Sequence, residues 1–188
     1  TPDNFDADVQ GAVNITAGFW MEQFEQLFDQ PYQPPQVSGP YSGTDGPSCG
    51  GQPSVPNNAF YCRPGDFIAW DVNLMQDGYE RIGDAWVYLS VAHEWGHAIQ
   101  NRLSRELVSR AAELQADCLA GATIAGSANA GNLVIEEGDV EELERTLQAV
   151  ADDYPWTMEG DHGSADERSQ AFKDGQAGGV LSCLPGTS

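Results

Sequence analysis

Val91-Ala92-His93-Glu94-Trp95-Gly96-His97-Ala98-Ile99-Gln100 (VAHEWGHAIQ, residues 91–100) contains the pattern H-E-x-x-H. On a helix, residues four apart share a face, so the imidazoles of His93 and His97 project together, one turn above the other. That pair can grip a single zinc ion through ring nitrogens. Glu94, next to the first histidine, can reach the open side of such a metal. Zinc lowers the pKa of a bound water to about 7, and a neighbouring carboxylate can accept its proton as attack begins. The flanking residues Trp86, Val87, Leu89, Val91, Ala92 and Ile99 are apolar on most sides, which predicts a buried helix over about Asp84–Arg102. Polar groups in such a helix need a partner, and a metal ion supplies one.

A catalytic zinc site takes a third protein ligand. A metzincin would have Gly and His at the positions of Gln100 and Leu103, so that class is excluded. The next candidate is Glu113 in the run Glu113-Leu114-Gln115-Ala116-Asp117. Glu113 and Asp117 share a helix face, so Glu113 can bind the metal while Asp117 holds a ligand imidazole from behind. Ala111, Ala112, Leu114, Ala116, Leu119 and Ala120 surround them, and carboxylates among small apolar residues are expected to be buried and partnered. The step from His97 to Glu113 leaves little room for a linker.

With these motifs in place, the sequence resembles the neutral zinc metallopeptidase family of bacteria. The resemblance rests on HEWGHAIQ, ELQADCLAG (113–121), AFYC (59–62), Gly83-Asp84 ahead of the metal helix, and HGSADERSQAFKDG (162–175). It runs from about Asp6 to Cys183 and is similar, more distantly, to the M48 peptidases. It implies a zincin-type fold of the gluzincin kind, with the Glu of ExxxD, here Glu113, as third ligand. The family pattern also makes His162 a candidate donor to the oxyanion of a tetrahedral intermediate, with Arg168 as a second candidate and Tyr154 a weaker one.

At 188 residues the chain has the length of one domain with a proper core, and its five Trp and seven Phe are globular composition. The formal charge of −21 argues against nucleic acid or an anionic membrane surface as a partner. No apolar run approaches the roughly 20 residues of a membrane span. The four cysteines form no CxxC pair, so two disulfides are expected. Of three pairings, Cys49–Cys62 closes a Gly/Pro-rich local loop and leaves Cys118–Cys183. Cys118 lies five residues past Glu113, about 500° around a helix, and so does not share its face as a ligand. Disulfides and the start at Thr1 without Met predict a trimmed product in an extracellular or cell-envelope setting.

Helical spacing of Val9, Val13, Ala17, Trp20, Phe24 and Leu27 predicts a helix from Phe5 to about Asp29, ended by Pro31. Residues 31–58 read as an irregular Pro/Gly-rich loop, and Ala59–Leu74 as a hairpin turning at Arg63–Asp66. Phe67–Val72 is the candidate edge strand for aligning a substrate backbone. Ser104 or Ser109 would cap a helix running through ELQAD to about Ala125, and Gly126–Gly138 would be a loop. Asp139-x-x-Glu142 opens a helix to about Asp152, and Ser164-x-x-Glu167 a last one carrying Phe172.

The expected fold is therefore a single α+β zincin-like domain over residues 1–188, mainly helical with a small sheet or hairpin. The expected activity is zinc-dependent endopeptidase hydrolysis of a peptide or protein substrate, with His93, His97 and Glu113 on zinc and Glu94 as general base. The rivals are a secreted zinc-containing binding or chaperone-like module, a hydrolase of non-peptide amides, and a latent enzyme covered by the 31–58 loop.

Overall fold

The computed structural model describes residues 4–152 and 163–186. The fold is α+β: six helices and a small three-stranded sheet among the described residues. Helix α1, Phe5–Phe28, buries Ala12, Thr16, Trp20 and Phe24 at intervals of four. It stops where Asp29 turns left-handed (φ 50°) and its N–H closes on the Glu25 carbonyl, two residues before Pro31.

The segment expected as an irregular loop instead enters the sheet. Gln36–Tyr41 forms β1, followed by β2 (Ala59–Cys62) and β3 (Phe67–Asp71). The order is β1-β3-β2, with β1 parallel and β2 antiparallel to β3. Phe67–Val72 is thus corrected as a substrate-aligning edge: β3 is central, both its edges are already paired, and all five residues are buried. The hairpin also ends sooner than expected. Asp71 accepts from the Asn73 N–H (2.9 Å) and caps helix α2, Val72–Arg81.

Helix α3, Ala85–Gln100, is the centre of the molecule, with 13 of its 16 residues buried. Its far end is tied to the sheet. Arg102 donates to both carboxylate oxygens of Asp66 (2.9 and 2.8 Å) and to the Gln33 carbonyl (2.6 Å). Residues 101–111, including a 3-10 turn at Arg105–Leu107, lead into α4, Ala112–Asn129. The short connection suffices. The α4 N-cap is Ala111 rather than Ser104 or Ser109; the Ser109 hydroxyl accepts from the Ala111 N–H (3.1 Å) within the approach to the helix.

Helix α5, Asp139–Asp152, packs on α3 and on α6, Ala165–Gly178, which opens with a capping box between Ser164 and Glu167. Disulfides join Cys49 to Cys62 and Cys118 to Cys183, the second fastening α4 to a 3-10 turn at Val180–Cys183.

Candidate metal centre

The site forms where α3 and α4 pack closely. A Cβ on Gly96 would stand 3.1 Å from both the Cα and the carbonyl oxygen of Ala116. A larger residue at position 96 would push the helices apart and separate the side chains between them. At this spacing His93 and His97 of α3 face Glu113 and Asp117 of α4.

One ligand atom from each of His93, His97 and Glu113 lies within 4.8 Å of the others. Glu113 places Oε2 at 3.2 Å from His93 Nε2 and Oε1 at 3.2 Å from His97 Nε2. Neither approach has hydrogen-bond geometry, so both Nε2 atoms are buried without a hydrogen-bond partner, as is Glu94 Oε1. Two imidazole nitrogens and a carboxylate around one point are the donor set of a three-ligand zinc site with an open position. The residues present fit the metal.

The electrostatics agree. Burial opposes protonation of His93, but the carboxylates of Asp117 and Glu113 outweigh it and hold the imidazole up to about 10. Burial likewise opposes ionisation of Glu113, and the two imidazoles overcome it, keeping the carboxyl below the usual carboxylate range. A proton on His93 thus stands where a metal would place positive charge. Glu94 is pushed up to about 6 by burial, against the pull of His93 and His97, and its carboxylate lies against the Tyr61 backbone N–H of β2.

Behind His93, Asp117 Oδ1 accepts from Nδ1 at 2.8 Å. Asp117 is completely buried and is itself held by Arg168 of α6, Nε to Oδ2 at 2.7 Å and a terminal nitrogen to Oδ1 at 2.9 Å. Arg168 is therefore committed to Asp117 and buried, 3% exposed, rather than presented to an oxyanion. Behind His97, Nδ1 meets Gln100 Oε1 at 2.8 Å. The sequence motif does not point to Gln100 as a partner of the site; its place three residues after His97 on one helix is the signal for it. His162 and Tyr154 lie outside the described residues.

The HExxH segment of α3 thus brings its two histidines to a carboxylate of α4. The chain belongs to the family described as "Putative neutral zinc metallopeptidase", whose sequence profile matches residues 3–184. It is similar to the protein YpfJ of Escherichia coli K12, described as uncharacterized, at 29% identity over 187 aligned residues. The counterpart in Escherichia coli O6:H1 is equally similar. The match covers 85% of this chain and 63% of each relative, so the chain spans under two thirds of their length. No solved structure matches.

Proposed function

We propose that this chain is a zinc-dependent endopeptidase in which His93, His97 and Glu113 hold the metal and Glu94 is the general base. The observation that carries the reading is the convergence of His93 Nε2, His97 Nε2 and Glu94 Oε1, all buried and all without a hydrogen-bond partner. A structural zinc site has four protein ligands and no use for a free carboxylate oxygen beside them.

Bound zinc would activate a water molecule and polarise the scissile carbonyl. Asp117, anchored by Arg168, keeps the His93 ring directed at the metal position, and Gln100 does the same for His97. Glu94, its carboxyl near 6, takes the proton of the attacking water and passes it to the leaving amine. The extended substrate is aligned along β2 instead of β3. Strand β2 is an edge of the sheet, and Tyr61 brings its backbone against Glu94.

The test is cleavage of a mixed peptide library by zinc-loaded protein, read by mass spectrometry beside Glu94→Gln. The variant keeps stoichiometric zinc and loses about 10²–10⁴ in turnover. Equal cleavage by both proteins would remove Glu94 from the mechanism. Zinc binding with no cleavage of any peptide would end the peptidase reading.

A further inference from the structure

Each of the two histidines has a different partner behind it. His93 is backed by a charged chain, Asp117 and Arg168, whereas His97 is backed by neutral amides alone. A neutral amide can turn over, presenting either oxygen or nitrogen, so by itself it does not determine which imidazole nitrogen carries the proton. Something else has to fix its direction.

That direction can be followed outward through contacts between side chains and backbone. Gln115 Nε2 donates to two backbone carbonyls, Leu107 (2.8 Å) and Cys183 (3.0 Å). Its Oε1 accepts from the Ser109 backbone N–H at 3.0 Å. Carbonyls only accept and an amide N–H only donates, so a reversed Gln115 would set like against like at all three contacts. Gln115 is thereby locked with Oε1 toward Gln100. Gln100 must then offer Nε2, which donates to Gln115 Oε1 (3.1 Å) and to the Ala112 carbonyl (2.7 Å). Its Oε1 is left facing His97, and Nδ1 must carry the hydrogen. His97 Nε2 is left as a lone pair pointing at the metal position.

We infer that Gln100 and Gln115 are positioning residues, a two-amide relay through which fixed backbone groups set the tautomer of His97 for metal binding. The inference rests on the reading of His97 as a zinc ligand. The relay also extends the site to a part of the chain far from it in sequence. Its outer anchor, the Cys183 carbonyl, belongs to the residue bridged to Cys118 on α4, one position after Asp117. Both ligand histidines are thus held through α4, His93 by a charge and His97 by polarity alone.

The experiment uses the full chain and zinc ion as the probe, with affinity measured by competition against a chelator. Gln100→Met fills the same volume without the acceptor, and Gln115→Met breaks the relay without touching His97. Each weakens zinc binding about 10–100-fold. The double variant binds no more weakly than the worse single one, because both act along one path. In zinc-loaded protein with 15N-labelled histidine, the His97 Nδ1–H resonance is protected from exchange in wild type. It broadens in Gln100→Met, while the His93 Nδ1–H on Asp117 is unchanged. The metal-free melting temperature of Gln100→Met stays near wild type, which separates positioning from folding even where Gln115→Met folds poorly. Wild-type affinity and an unchanged His97 signal in Gln100→Met, with zinc still lost in His97→Ala, overturn the relay alone. Wild-type affinity in His97→Ala overturns the ligand reading and the relay with it.

Discussion

Asp117 and Arg168 form a deeply buried ion pair behind the site, with side chains 0% and 4% exposed. Removing one member of such a pair leaves an uncompensated buried charge, at a typical cost of about 3–5 kcal/mol. Arg168→Met is therefore expected to lower unfolding free energy by about that much in a denaturant titration, with a loss of zinc affinity alongside it. A change below about 1 kcal/mol, the scale of an exposed pair, would show that the burial is not maintained in solution. Protonation makes a second residue-scale prediction. Since His93 is held up to about 10 by its carboxylate neighbours, the metal-free site carries protons at neutral pH. Zinc has to displace them, so binding releases protons and apparent affinity rises with pH across the range 6 to 8. Calorimetry in buffers of different ionisation enthalpy reads the proton count, and no release would contradict the arrangement. His93, Glu94, His97, Glu113 and Asp117 are legible as a group in the sequence because their spacing puts each set on one helical face. The partners of Arg168 and Gln115 are not legible, because only the approach of α3, α4 and α6 decides what they meet.

At the scale of elements, the centre depends on helices whose backbones nearly touch. A Cβ at Gly175 of α6 would lie 1.8 Å from the Cys118 carbonyl oxygen of α4, and one at Gly121 of α4 would lie 2.1 Å from the Phe172 carbonyl oxygen of α6. No side-chain rotation relieves either overlap, because the obstacle is backbone. Gly175→Ala is expected to destabilise the protein by about 1–3 kcal/mol, the cost typical of overpacking, by forcing α6 away from α4. It should also weaken zinc binding, since α6 carries Arg168. Denaturation and zinc titration on the same variant check both, and an unchanged zinc affinity would mean that Asp117 holds His93 without Arg168. Helices α1, α3, α4 and α6 are readable from apolar spacing and capping residues. Strand β1 is not, because it is exposed along most of its length and its pairing is irregular between Val37 and Pro40, so no alternation marks it. Helix α2 is hidden for a different reason: Trp70-Asp71-Val72-Asn73-Leu74 alternates apolar and polar as a strand would, and only the Asp71 cap turns the chain.

Over the whole molecule the −21 charge is unevenly tolerated. Asp84, at the start of α3, has its carboxyl pushed up to about 6, first by burial and then by Asp139, Glu142 and Asp8. A folded-state pKa above the ordinary 3.8 means that the protonated form favours folding. The stability from this group is complete below about pH 4 and is lost as pH rises through about 6. Asp84→Asn should then melt about 1–3 °C higher than wild type at pH 8, a modest figure because the cluster is partly solvated, and match it at pH 4. A lower melting temperature at pH 8 would show that the carboxylate serves the helix N-terminus more than it suffers from its neighbours. The Cys118–Cys183 bridge has a consequence of another kind, in the order of synthesis. His93, Glu94 and His97 leave the ribosome long before Arg168 and Cys183, the residues that anchor the supports of the two imidazoles. A nascent chain holding the whole of α3 therefore still lacks the groups that orient its two imidazoles. The supports of both imidazoles come together only once α6 and the Val180–Cys183 turn have docked against α4.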